Sequence, residues 1–408
     1  MNMSEKNKVS LDISEPVVIA SGENTGWGSY QFPYICYTKS GDIYAKWAMR
    51  PDTVDAFDGK DYGSAVSEDM GKTWREATDA DIALPPTDLG NGKAFWGFKK
   101  EYAYKADFFD KYTPESSNRG IDIFFADDIK ELDRTVYGKM LDVKTGKINE
   151  YKVNLDWRYM AVQRYPESRA LTAGYMMASC GDVADVLLLD DGMYFCTYSA
   201  GFDINAKTKQ EAVTKYCSYS SVFVFRSTDG AESWECISQI SIDDEIFRDT
   251  EGFEGFDEPM MERMPDGSVV MLMRSGTPKN PLDPNRYPCY MTRSTDNCRT
   301  WSKPVPFGKV GVLPQIQTLP CGVTLAVFGR PELFIRASAD PSGLEWDDPI
   351  ELELTPDTWD RSCYYTKMLP IGDDSVLLIY TDFNYPDENG KKQKTVLVRK
   401  ISALVKNQ

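Results

Sequence analysis

Histidine is missing from all 408 residues of the chain. That absence excludes Ser-His-Asp and Cys-His nucleophilic machinery, histidine-ligated zinc, and a lyase built on a histidine base. Acid–base chemistry must fall to carboxylates, tyrosine, arginine, lysine, cysteine or serine. Positive charge is also short: 46 Lys and Arg stand against 63 Asp and Glu, a net charge of −17. Neutralising phosphates takes basic patches, and no basic run occurs, so no nucleic-acid partner is expected. No apolar run approaches the roughly 20 residues that span a bilayer, so no membrane partner is expected either. The N-terminal stretch MNMSEKNKVSLDISEPVV lacks the apolar core of a secretory signal.

The nine cysteines form no C-x-x-C pair, and their number is odd. Cys36 in YICYT and Cys196 in YFCTY sit inside strand-like runs. Buried free thiols are expected, rather than a disulfide framework or a zinc site. With the N-terminus, this points to a reducing cytoplasm; a secreted or periplasmic protein relieved of its leader would read alike. No cofactor and no catalytic metal are expected. The acidic loop Asp243-Asp244-Glu245 is a candidate for a structural calcium.

What the chain does have is a repeated phrase. Ser67-Glu68-Asp69-Met70-Gly71-Lys72-Thr73-Trp74 has the form S-x-D-x-G-x-T-W. Looser copies run from Ser227 to Trp234 and from Ser294 to Trp301, and a copy longer by one residue runs from Ser338 to Trp346. Ser and Asp side chains that bond nearby backbone N–H groups lock a tight turn, and glycine suits a left-handed position within it. A repeated hairpin signature means a repeat architecture. Short β-branched and aromatic runs recur at 42–49, 185–199, 221–227, 268–275, 323–330 and 375–383, each bounded by turn residues. Long amphipathic helices are hard to find, and the segment 95–165 shows few clear strands.

The phrase resembles the Asp-box of the sialidase superfamily, also called the BNR repeat. That resemblance implies an all-β fold, a β-propeller, six-bladed by preference, with residues 1–408 as one domain. Propeller blades take roughly 40–50 residues in compact forms, and six loop-rich blades fit this length. Five or seven stay open.

The resemblance extends to candidate site residues across 258–365. The family has a blade that begins with Glu and ends in Arg after a D-G turn. Here Glu258-Pro259 leads through Asp266-Gly267 to Arg274. By resemblance, Glu258 polarises a tyrosine nucleophile and Arg274 binds the substrate carboxylate. Arg330, ahead of the box at Ser338, matches a second substrate-binding arginine, with Arg336 as its rival. The nucleophile matches Tyr365, with Tyr364 adjacent. An acid/base aspartate is expected on the loop before the first box, where Asp55 matches best among Asp52, Asp55, Asp58 and Asp61. A phenol suits an anionic sugar, because a carboxylate nucleophile would be repelled by it.

One departure stands out. Where the family opens its first blade with F/Y-R-I-P, this chain reads Tyr30-Gln31-Phe32-Pro33. Gln31 lacks the charge and bidentate fork of arginine, and Arg50 is a candidate to compensate. The implied function is a sialidase-like exo-glycoside hydrolase acting on a sialic acid or another anionic or unusual terminal sugar. A polysaccharide lyase on uronic-acid glycans and a non-catalytic carbohydrate-binding propeller are the alternatives. Each residue also has a structural reading: Glu-Pro as a turn, a strand-end arginine as a surface ion pair, Tyr365 as core. Trp157-Arg158-Tyr159 reads equally as a sugar-stacking wall or as blade core. The expected partner is a carbohydrate, with a protein partner open to the non-catalytic version, and the oligomeric state stays open.

Overall fold

The computed structural model describes residues 8–23, 26–50, 60–85, 87, 89–98, 106–164, 173–174, 186–277, 287–330, 332–352, 354 and 362–406. Among these the chain is almost wholly β-strand; the one α-helix is the single turn Lys209–Ala212. No helix among them is long and apolar enough to cross a membrane.

The repeating unit is a four-stranded antiparallel meander. One is Gln31–Tyr37, Ile43–Ala48, Tyr62–Ser67 and Arg75–Glu76; another is Val312–Thr318, Thr324–Gly329, Leu333–Ser338 and Ile350–Glu351. Ser116–Asn118, Ile121–Phe125, Ala161–Arg164 and Ala173–Gly174 form a third. An eleven-stranded path holds two more, the strands from Leu187 to Ile240 and those from Phe253 to Gly308, joined by one parallel contact from Ser220 to Gly255. Its other three strands, Lys93–Phe98, Val136–Asp142 and Lys147–Asp156, join by a parallel contact to Ser233–Ile240. The last sheet combines both ends of the chain. Its strand Lys392–Val405 pairs with the N-terminal strand Val9–Ile13, in the register Val9 to Val405.

Neighbouring meanders bury apolar faces against each other. Ile35, Ala45 and Trp47 of the first pack on Leu377, Ile379 and Val396 of the last. The last packs in turn on Leu325, Val327 and Ile335. Leu272 and Met291 face Ala326 and Phe328, and Val222 and Val224 face Met271 and Met273. Strands with alternate buried positions on two faces account for this stacking.

The S-x-D turns join the third and fourth strands of their meanders. Asp69 Oδ1 accepts from the backbone N–H of Lys72 and Thr73 at 3.0 and 2.8 Å, and Ser67 Oγ accepts from Gly71 N at 2.8 Å. Asp229, Asp296 and Asp340 accept from Ser233, Thr300 and Ser342 in the same manner. Trp74 and Trp346 donate Nε1–H back to the turn at Gly71 O and Gly343 O, 3.2 and 2.8 Å. The buried Trp234 indole N–H has no hydrogen-bond partner among the described residues.

A second repeat is visible in three first strands. Phe32, Glu258 and Leu313 each have positive φ (52, 44 and 34°), and each precedes a proline: Pro33, Pro259 and Pro314. At each the pairing register shifts, as a β-bulge requires. A residue before proline is excluded from the ordinary helical region, and the bulge places it in the left-handed one. Bulges re-aim side chains, and these three converge on the site described below.

Several expectations change. The run 185–199 is a hairpin, Leu187–Leu189 and Gly192–Ala200, because Asp190-Asp191 turns the chain. The described residues of the segment 95–165 are strand-rich, with Val136–Asp142 paired to Lys147–Asp156 over seven residues. Trp157 is core, packed on Phe223 and Phe225 at ring distances of 4.9 and 5.2 Å. The acidic loop 243–245 meets lysines rather than standing open: Lys303 pairs with Asp243 and Glu245, and Lys215 with Asp244. The eight cysteines among the described residues are free thiols, and only Cys321 is exposed. Burial pushes the Cys36, Cys289 and Cys298 thiols up to about 12.

Candidate functional site

Three residues distant in sequence meet at a buried carboxylate. Glu258 is 2 % exposed, held in the bulge of the strand Phe253–Arg263. Its Oε1 accepts from the Tyr365 hydroxyl and from Arg274 Nη1, the latter at 3.0 Å. Its Oε2 accepts from the backbone N–H of Leu313 at 2.7 Å. A non-glycine residue at positive φ costs about 1–3 kcal/mol, and such strain gathers at functional sites.

The electrostatics keep Glu258 ionised. Burial alone would raise its pKa, but the Arg274 guanidinium, the Tyr365 hydroxyl and Leu313 N–H outweigh it and hold it below the usual carboxylate value. Arg274 is itself buried, which works against its charge, yet Glu258, Glu254 and Asp257 keep it firmly protonated. Asp257 goes the other way. Burial, reinforced by the charge of Glu254, pushes its pKa up to about 8. Adjacent carboxyls in one strand therefore sit in opposite states near neutrality, a pattern that marks acid–base sites.

Arg274 is fully engaged within the protein. Besides Glu258, its Nη2 donates to Glu254 Oε2 at 2.7 Å and to Thr277 Oγ1, and Nε to Gly276 O at 3.4 Å. Arg274 is thus the counter-ion of the buried Glu258.

Tyr365 is half-buried, with its ring edge-on to Phe32 at 5.0 Å. Its neighbour Tyr364 is fully buried at positive φ (62°) in the core of the last sheet. Tyr365, and not Tyr364, therefore meets Glu258, from a segment ahead of the strand Lys367–Pro370 that the positive φ of Tyr364 bends. Arg330, also at positive φ (75°), donates Nη2–H to Cys363 O at 2.9 Å, and its guanidinium lies 5.6 Å from the Trp27 ring centre. Its rival Arg336 is tied to the outer hairpin, donating to Asp347 O and Phe307 O at 2.8 and 2.7 Å.

Gln31 has no exposed surface, and its Oε1 accepts from Gly28 N at 3.1 Å, so it pins its own loop. Its Nε2 is buried without a hydrogen-bond partner among the described residues. Arg50 lies exposed just after the strand Ile43–Ala48. Asp52, Asp55 and Asp58 lie outside the described residues; Asp61 is exposed, and its carbonyl accepts from Met49 N at 2.8 Å.

Sequence reading missed Asp257, Glu254, Thr277 and the Leu313 N–H. The signal for Leu313 was present: its Leu-Pro repeats the Phe-Pro and Glu-Pro of the other two bulges. Glu254 and Asp257 carry no local mark.

Among known structures, a protein of unknown function from Dyadobacter fermentans DSM 18053 matches with a TM-score of 0.60 at 17% identity, over 96% of this chain and 99% of that one. The two share a fold. The alpha-L-arabinanase of Penicillium chrysogenum complexed with arabinobiose gives a TM-score of 0.49 at 13% identity, over 95% and 98% of the two chains. The NanB sialidase of Streptococcus pneumoniae gives 0.45 at 14%, over 95% and 70%. At those scores nothing is carried over to this chain. No protein-family model matches it, and no curated protein does.

Proposed function

We propose that this chain is a sialidase-like glycoside hydrolase built on one six-bladed β-propeller spanning residues 1–408. Five four-stranded meanders and a five-stranded last sheet, with shared apolar clusters between neighbours from the 187–240 meander round to the 31–76 one, support the blade count, and the S-x-D turns support reading them as Asp-boxes. The observation that carries the chemistry is the hydrogen bond from the Tyr365 hydroxyl to Glu258 Oε1, with Arg274 and Leu313 N holding that carboxylate ionised.

A phenol is a weak nucleophile until a base removes its proton. Glu258 accepts that proton as Tyr365 Oη attacks the anomeric carbon. The bond to the leaving-group oxygen breaks, and a carboxylic acid from the 52–61 loop, with Asp55 as first candidate, donates a proton to that oxygen. The same aspartate then takes a proton from water, whose oxygen displaces Tyr365 Oη from the anomeric carbon; Glu258 returns its proton to the phenolate, and the sugar is released. Tyrosine in place of a carboxylate nucleophile is an established exception among glycosidases. Arg274 serves as the charge partner of Glu258, and Arg330 stands at the side of the site with Trp27.

The test is a panel of aryl glycosides, neutral and anionic, with product analysis. Release of the aryl alcohol with a free reducing sugar supports hydrolysis. An unsaturated uronate absorbing in the ultraviolet would assign the lyase reading instead, and inertness on every glycoside and glycan would leave only the binding reading.

A further inference from the structure

Beside Tyr365 the fold maintains a loop at unusual cost. Lys394, on the last strand, is 1 % exposed, and its Nζ donates to Gly26 O at 2.6 Å and Ser29 O at 3.3 Å. The same ammonium lies 4.5 Å from the Phe383 ring centre. Gln31, also enclosed, holds Gly28 N from the other side. Burying an ammonium and an amide is costly unless their hydrogen bonds are met, so two such groups spent on three backbone positions mean that the shape of this loop matters.

What the loop presents is Trp27. Most large aromatics of the chain are enclosed, but Trp27 is 41 % exposed. It stands edge-on to Phe32 and to Phe383 at 6.2 and 6.1 Å, and Phe32 stands edge-on to Tyr365. The indole is thus fixed two ring contacts from the Tyr365 hydroxyl, with the Arg330 guanidinium beside it. A rigid, partly exposed indole next to a hydrogen-bonding cation offers both parts of a sugar-binding surface: an apolar plane for the C–H face of a ring and a donor for its hydroxyls.

We propose that Trp27 and Arg330 form a second sugar subsite, which binds the ring attached to the one that is cleaved. The assignment rests on the glycosidase reading above. It makes the substrate an oligosaccharide rather than a single sugar on an arbitrary aglycone. Lys394 is a positioning residue for this subsite and acts through the loop.

The test uses the full chain carrying Tyr365→Phe, which stops turnover and leaves the Glu258–Arg274 pair intact. An array of neutral and sialylated mono-, di- and trisaccharides identifies bound glycans, and calorimetry measures the affinity of each hit. Adding Trp27→Ala is expected to weaken di- and trisaccharides roughly tenfold, as loss of one buried ring face implies, and to leave monosaccharides unchanged. Trp27→Phe, which keeps a ring in place, is expected to retain most of the affinity and serves should the alanine variant misfold. Equal affinities for a trisaccharide in the parent and in both Trp27 variants would overturn the subsite while leaving the hydrolase reading in place. Equal weakening of mono- and trisaccharides would also overturn it, by placing Trp27 in the cleaved-sugar site. Binding of no glycan by a folded Tyr365→Phe chain, its melting temperature matching the parent's, would overturn the hydrolase reading and the subsite with it.

Discussion

Tyr365 gives its phenolic hydrogen to Glu258 across 107 residues of chain, from the segment leading into the last sheet to a bulge in the Phe253–Arg263 strand. The bond forms because both partners are fixed independently. Glu258 is clamped by Arg274 and Leu313 N, and Tyr365 is braced by Phe32. A base and a weak hydroxyl arranged in this way act as one unit.

Tyr365→Phe is expected to abolish turnover while leaving the melting temperature close to that of the parent, since it removes one hydroxyl from a half-buried ring. Glu258→Gln should abolish turnover as well and also lower stability, because it breaks a buried pair with Arg274; such losses run to about 3–5 kcal/mol. Rates on a cleaved substrate and thermal unfolding curves check both. The double variant should be no slower than either single one. A Tyr365→Phe enzyme of parental rate would remove Tyr365 from the mechanism.

Arg274→Gln tests the charge partnership. With the guanidinium gone, only the Tyr365 hydroxyl and the Leu313 N–H oppose burial at Glu258, so its pKa should rise. The carboxylate is the active form of a base, so the acidic limb of the kcat/KM profile should move to higher pH. An unmoved limb with a lowered rate would make Arg274 a substrate contact instead.

Asp257 makes a prediction about stability. Its folded-state pKa of about 8 lies above the ordinary value, so between pH 4 and 8 the folded protein holds a proton that the unfolded chain has lost. Stability from this group therefore declines as pH rises through that window. Asp257→Asn should remove the decline, gaining on the parent steadily from pH 4 to 8 in urea unfolding. A constant difference at all pH values would show that Asp257 titrates normally.

The turn aspartates have the opposite sign. Hydrogen bonds from the Thr73 hydroxyl and N–H hold Asp69 down to about 2. Burial works against the ionised Asp340, but bonds from Ser342 outweigh it and also bring it to about 2. Their contributions are present above the unfolded value near 4 and are lost as pH falls toward 2. Asp69→Asn with Asp340→Asn should make unfolding between pH 4 and 2 less steep. They should also lower the melting temperature at pH 7.

Gln31→Arg is expected to gain no activity on an aryl sialoside and to lower the melting temperature. The position is enclosed, so a longer cation overfills it, at about 1–3 kcal/mol, and loses the bond to Gly28 N. Cleavage of the sialoside by this variant alone would return Gln31 to the substrate site.

Sequence alone determined the local and the periodic. The S-x-D phrases name their own turns, since Ser, Asp and Thr bond backbone groups within a few residues, and that chemistry needs no tertiary partner. Strand runs bounded by turn residues determined the all-β class. The candidate trio of Glu258, Arg274 and Tyr365 came from a resemblance in order along the chain, and order carries no distances. Only the tertiary structure decided that Arg274 spends its donors on Glu258 and Glu254, and that Gln31 faces inward to its loop. The same holds for Asp257, which is raised where Glu258 is lowered. Ionisation state and hydrogen-bond partner depend on which groups lie within a few ångströms in space, and the bulges at Phe32, Glu258 and Leu313 set those neighbours by turning side chains that strand alternation alone would send elsewhere.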